Sequence, residues 1–139
     1  MEKLPNILLV DDDDTTNFLN EHLLRKLGVT DEIRVAHDGE EALSLLTQAP
    51  PYTPTLLLLD VKMPVMDGIE FLEAFQQLPT ATRASTVVIM LTTSMASADL
   101  ARINELPIAG LVSKPLTRDK INTLLQLHFR RQLPGGAEE

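Results

Sequence analysis

The sequence predicts an α/β domain, a doubly wound parallel sheet with helices on both faces. Three observations predict it. Short, almost wholly apolar runs recur along the chain, as strands buried on both faces do. Segments with apolar residues at helical spacing separate them. A polar residue, often a carboxylate, stands directly after most of the runs. Strands that alternate with helices pair in parallel through right-handed crossovers. Ligands then bind at the carboxyl ends of the strands.

Residues 7–10 (Ile-Leu-Leu-Val) form the first run. A helix over 15–27 follows, with Phe18, Leu19, Leu23 and Leu27 on one side and Gly28 as its terminal glycine. Residues 32–36 read as a weaker strand. A short helix over 39–47 turns Ala42, Leu43 and Leu46 inward, and Pro50, Pro51 and Pro54 end that pattern. Residues 55–59 are the most apolar strand, ending at Asp60. Met66-Asp67-Gly68 opens a helix with Ile69, Phe71, Leu72 and Phe75. Residues 79–85 read as a polar loop and 86–91 as a buried strand ending at Thr92. A helix over 98–105 has Ser97 as its N-cap. A strand over 108–112 runs up to Lys114-Pro115, and a last helix covers 117–131. Strand order stays open at this level. The expected boundaries are one domain over 1–131 and a frayed tail over 132–139.

The length, 139 residues, suits one domain with its own core. The absence of cysteine excludes disulfides, thiolate metal sites and cysteine nucleophiles. A net charge of −8 argues against non-specific nucleic-acid binding, which needs a basic face. The N-terminus is too short and polar for a signal peptide, and no apolar run approaches the ~20 residues that span a bilayer. The expectation is a soluble, cytoplasmic protein without membrane contact.

Chemistry concentrates at the strand ends. Asp11 and Asp12 follow the first strand, Asp60 the third, Thr92 the fourth and Lys114 the fifth. Crowded carboxylates want a hard cation, and Mg²⁺ takes oxygen ligands while keeping several waters. A carboxylate can attack phosphorus, and a lysine and a metal can neutralise the transferring oxygens. The Thr92 hydroxyl is a donor for one of them. Taken singly, Asp60 is a turn former, the acidic run 11–14 a solvated loop, Thr92 a strand-end hydroxyl and Lys114 a surface charge. Four strand ends in one register favour the functional reading. His22, His37 and His128 lack ligand spacing and read as structural or surface residues.

These residues carry a family likeness. Ile7–Asp13, Leu59-Asp60-Val61-Lys62-Met63-Pro64-Val65-Met66-Asp67-Gly68, Met90-Leu91-Thr92-Thr93-Ser94 and Ser113-Lys114-Pro115-Leu116 resemble the receiver domain of two-component response regulators. Residues 38–43 fit as well. The resemblance implies a flavodoxin-like sheet in order 2-1-3-4-5 with five helices. It implies that Asp60 is the phosphoacceptor, and that Asp11, Asp12, Asp60 and the Lys62 carbonyl serve Mg²⁺, with Asp12 the more direct acidic ligand. Thr92 and Lys114 then contact the phosphoryl group, and a cis Lys114–Pro115 bond holds the ammonium in place. Asp13 caps a helix or faces solvent, and Lys62 and Ser94 sit where the family tunes hydrolysis. The donor is a histidine kinase or histidine phosphotransfer protein. The chain is then a phosphoacceptor signalling domain with self-catalysed transfer and dephosphorylation, rather than an enzyme with an external substrate. With only a short tail after the last helix, output falls to a downstream protein, to phosphorelay, or to a larger protein of which this is a piece. A homodimer through helix 98–105, strand 108–112 and helix 117–131 is part of the implication. One departure stands out: Leu111 occupies the position where many members carry Tyr or Phe, so weaker or different coupling through that face is expected.

Two rivals remain at this stage. A haloacid-dehalogenase-like phosphatase would use Asp11 and Asp13, but lacks a further acidic pair and leaves Asp60–Gly68 unexplained. A receiver-like binding module that is never phosphorylated would have lost part of the pocket. A calcium EF-hand fails for want of the glycine and terminal glutamate.

Overall fold

The structure, a computed structural model, describes residues 2–93, 97–106 and 108–134. Five parallel strands form one sheet in the order β2-β1-β3-β4-β5. They are β1 (Ile7–Val10), β2 (Ile33–Ala36), β3 (Leu56–Asp60), β4 (Val87–Thr92) and β5 (Gly110–Ser113). The helices are α1 (Asp14–Lys26), α2 (Gly39–Thr47), α3 (Gly68–Phe75), α4 (Thr80–Ala84), α5 (Ser97–Asn104) and α6 (Arg118–Phe129). No described helix is long and apolar enough to cross a membrane.

The apolar runs are continuous because successive side chains serve two cores. Ile7, Leu9, Leu56, Leu58, Ile89 and Leu91 pack with Leu24 of α1 and Ile121, Leu124 and Leu125 of α6. Leu8, Val10, Leu57, Leu59, Val88 and Met90 pack with Ala42, Leu46, Ile69, Phe71, Leu72, Phe75 and Ile103 from α2, α3 and α5. The period-2 pleat divides each strand between these layers.

Several elements differ from the sequence reading. There are six described helices rather than five, because α4 lies within the supposed loop 79–85. It buries no side chain, so no apolar period betrays it. Instead Arg83 Nε donates to the Leu78 carbonyl at 3.0 Å and Ser85 Oγ to the Ala81 carbonyl at 2.7 Å. On α1 the buried residues are Asn17, Asn20 and Leu24, whereas Phe18 and Leu19 are 68% and 57% exposed. The helix is turned so that its first turns face the polar loop after β1. β5 begins only at Gly110, where pairing with Ile89 starts. Leu133, assigned to the frayed tail, is 2% exposed in the core beside α6, and its N–H donates to Asn122 Oδ1 at 2.8 Å. Residues 135–139 lie outside the described residues, as does the side chain of Ser97, the expected cap of α5.

Candidate functional site

The site is assembled at the carboxyl edge of β1, β3, β4 and β5. Pairing of Val10 with Leu59 brings Asp11 and Asp60 side by side. Asp60 pairs with Leu91, so Thr92 ends β4 one residue beyond it. The Lys114 N–H donates to the Thr92 carbonyl at 2.8 Å, and the Lys114–Pro115 bond is cis. Lys114 Nζ reaches Asp11 Oδ2 at 2.7 Å and Asp60 Oδ1 at 3.2 Å. Asp11, Asp12, Asp60, Thr92 and Lys114 thus gather at one edge. Lys62 follows the same strand end in the β3–α3 loop; Ser94 lies outside the described residues.

The four consecutive aspartates have four different surroundings. Asp11 is buried, its Oδ1 accepting from the Asp13 N–H at 2.9 Å and its Oδ2 from Lys114. Asp12 is exposed at the mouth of the site. Asp13 is the N-cap of α1, accepting from the Thr15 N–H at 3.1 Å and from Thr16 Oγ1 at 2.7 Å. These bonds, the Thr16 hydroxyl first, hold its pKa below the usual carboxylate value. Asp14 opens α1 and meets His37. Asp13 therefore takes the capping role expected of it.

Burial raises the Asp60 pKa, the Asp11 carboxylate adds to the rise, and Lys114 opposes it. Burial by itself lowers that of Lys114, but Asp11 and Asp60 outweigh it and the ammonium is held more firmly. A carboxylate oxygen from each of Asp11, Asp12 and Asp60 lies within 4.8 Å of the others. Hard, all-oxygen donors this close fit Mg²⁺, because a divalent ion relieves their mutual repulsion.

Two supports escaped the sequence reading. Asn17 Nδ2 donates to the Asp11 carbonyl at 2.8 Å and so ties the acidic loop to α1. Gly68 sends its N–H to the Val61 carbonyl at 2.9 Å and seats α3 directly on the end of β3. For the first, the available signal was the pair Asn17 and Asn20, set at i, i+3 on one side of α1, the side that folding buries with Leu24. The second rests on a close approach that no local pattern carries.

His37, just past β2, bridges two helices: Nε2 lies 3.0 Å from Asp14 Oδ1 and Nδ1 lies 3.3 Å from Glu41 Oε2. Slight burial lowers its pKa, but the Glu41 and Asp14 carboxylates outweigh it and raise it above 6.5. A raised histidine pKa contributes stability that is complete below the unfolded value and is lost as pH rises through the folded value. His37→Gln is therefore expected to lower stability by up to about 0.5 kcal/mol near pH 5.5, a figure reduced by solvent screening, and by less near pH 8. Urea unfolding at both pH values checks it; an equal loss at both rejects the bridge.

The sequence model of the response regulator receiver domain matches residues 7–126. A probable chemotaxis protein CheY of Rhizobium etli is 32% identical over 123 residues, covering 88% of this chain and 91% of that protein. The transcriptional regulatory protein CpxR of Escherichia coli is 38% identical over 125 residues, covering 90% of this chain but 49% of the relative. Among solved structures, a two-component response regulator from Cytophaga hutchinsonii superposes with a TM-score of 0.78 at 28% identity, covering 94% of this chain and 100% of that one. The chain belongs to the response regulator receiver domain family and has its phosphoacceptor signalling function.

Proposed function

We propose that Asp60 accepts the phosphoryl group from a phosphohistidine donor, with Asp11, Asp12, Asp60 and the Lys62 carbonyl holding Mg²⁺ and with Thr92 and Lys114 contacting the transferred group. One observation carries the choice of acceptor. Asp60 ends the central strand, 8% exposed, with the Lys114 ammonium 3.2 Å from Oδ1, whereas both oxygens of Asp11 and of Asp13 are already engaged. The same fact disfavours a phosphatase built on Asp11 and Asp13. An Asp13 whose pKa is lowered by its capping bonds makes a poor general acid.

In the transfer, an Asp60 oxygen forms the new O–P bond as the P–N bond of the donor breaks, and the electron pair leaves on the imidazole nitrogen. Lys114 draws charge from one phosphoryl oxygen and the Thr92 hydroxyl donates to another. Mg²⁺, when bound, neutralises further charge on those oxygens. Water later cleaves the acyl phosphate at the same site, returning the Asp60 carboxylate and inorganic phosphate.

The phosphodonor is a histidine kinase or a histidine phosphotransfer protein. Exposed Leu19 offers it an apolar foothold beside the site, since Leu19, Leu23, Leu116 and Lys114 line one groove. A homodimer or downstream partner would use the other exposed face, where Leu111 (45% exposed) and Leu127 (72%) flank the groove between β5 and α6.

Incubation with acetyl phosphate and Mg²⁺, followed by intact-mass analysis, is expected to show one phosphoryl adduct, lost in Asp60→Ala and without Mg²⁺. Persistence of the adduct in Asp60→Ala would overturn the assignment.

A further inference from the structure

All three N–H bonds of one surface lysine are spent on a single loop. Lys120, in the first turn of α6, donates from Nζ to the Ser113 carbonyl at 2.9 Å, to the Pro115 carbonyl at 3.0 Å and to Ser113 Oγ at 3.1 Å. An ammonium has three donors and no acceptor, so this one is saturated. Ser113 and Pro115 are the two residues that flank Lys114. Holding a long side chain in one geometry has an entropic cost, and a solvent-facing lysine ordinarily avoids it by staying in water. The base of the clamp is itself fixed. Thr117 caps α6 by accepting the Lys120 N–H at 3.2 Å, and the turn above is packed through buried Ile121.

We infer that Lys120 is a positioning residue for phosphoryl transfer: by holding the carbonyls on both sides of Lys114 it sets where the Lys114 ammonium lies. This rests on the reading of Asp60 and Lys114 above. Lys120 touches neither Asp60 nor a phosphoryl group there; it acts through the loop. Lys114 has three other restraints, its N–H on the Thr92 carbonyl and its ammonium on Asp11 and on Asp60. Loss of the clamp therefore loosens the ammonium without freeing it. Displacements of about an ångström at a reacting centre cost up to ~100-fold in rate, and a partly restrained group loses less.

The test is a double-mutant cycle on the acetyl phosphate phosphorylation rate at saturating Mg²⁺, read by intact mass. Lys120→Met is expected to slow phosphorylation about 5- to 10-fold, with Mg²⁺ affinity changed less than about 2-fold. In a Lys114→Met background the same substitution is expected to change nothing further, because the group it positions is gone. A purely structural role predicts the same fractional loss in both backgrounds. Lys120→Gln, which keeps two donors without the charge, runs through the same cycle as a second variant. Wild-type rates in the Lys120 variants, or equal losses with and without Lys114, overturn the inference while leaving the acceptor assignment intact. A Lys114→Met chain that is phosphorylated at the wild-type rate overturns the site reading, and this inference with it.

Discussion

Gly68→Ala is expected to lower the unfolding free energy by about 2–4 kcal/mol, at or beyond the upper end of overpacking costs. A Cβ at this position would fall far inside contact distance of the Asp60 carbonyl oxygen, and 3.1 Å from both Val61 Cα and Met90 Cε. Two of those three neighbours are backbone, which cannot swing aside as a side chain can. Glycine is needed here for close approach rather than for an unusual φ. Either α3 lifts from the end of β3, breaking the Gly68–Val61 bond, or β3 bends. Both movements shift Asp60, the proposed acceptor. A domain of this size should lose roughly 10 °C in thermal midpoint, and the surviving folded fraction should phosphorylate more slowly. A midpoint within about 3 °C of wild type would reject the packing argument. By contrast, Gly28 has no atom within 4 Å of its would-be Cβ and is needed for its φ of +71°.

Lys114→Met is expected to move two observables in opposite directions. Phosphorylation by acetyl phosphate should fall by about 10²-fold or more, the scale of removing one group aimed at developing charge. Affinity for Mg²⁺ should rise several-fold, because a positive charge that now sits 2.7 Å from Asp11 and 3.2 Å from Asp60 no longer opposes a divalent ion. Methionine keeps most of the stem, so packing changes little. Without metal the variant should be less stable, by about 1–3 kcal/mol, since buried Asp11 and Asp60 are left facing each other without their cation. Adding Mg²⁺ should restore more stability to the variant than to wild type. Rate and metal titration together are decisive: a slower rate explained wholly by weaker Mg²⁺ binding would mean that Lys114 serves the metal site and not the phosphoryl group.

Much of the architecture can be read from the chain because its causes are local. Leu56-Leu57-Leu58-Leu59 has to be a strand buried on both faces, since alternate side chains feed opposite cores. The alternation with helical segments then dictates parallel pairing, and parallel pairing puts Asp11, Asp60, Thr92 and Lys114 on one edge. Strand order came only with the family resemblance. α4 escaped because its bonds are polar and it buries nothing, so it leaves no trace in the apolar pattern.

Leu111 marks the boundary between what the residues say and what the tertiary structure says. The sequence shows that no aromatic ring stands there. The structure adds that Leu111 is half-exposed on edge strand β5, beside Leu127.

The strand-helix alternation and the set of chemical groups at one end of the sheet are already written in the order of the residues. How labour is divided within that set follows from the packing of the elements. Four consecutive aspartates look equivalent in the chain. Folding buries Asp11 against Lys114, leaves Asp12 open, spends Asp13 on a helix cap and turns Asp14 towards His37. The reason is distance along the chain. The Lys114–Asp11 contact joins residues 103 positions apart, and the Lys120 clamp depends on where α6 docks. Periodicity reports which face a residue takes on its own element, whereas a partner across the sheet appears only when the elements have packed.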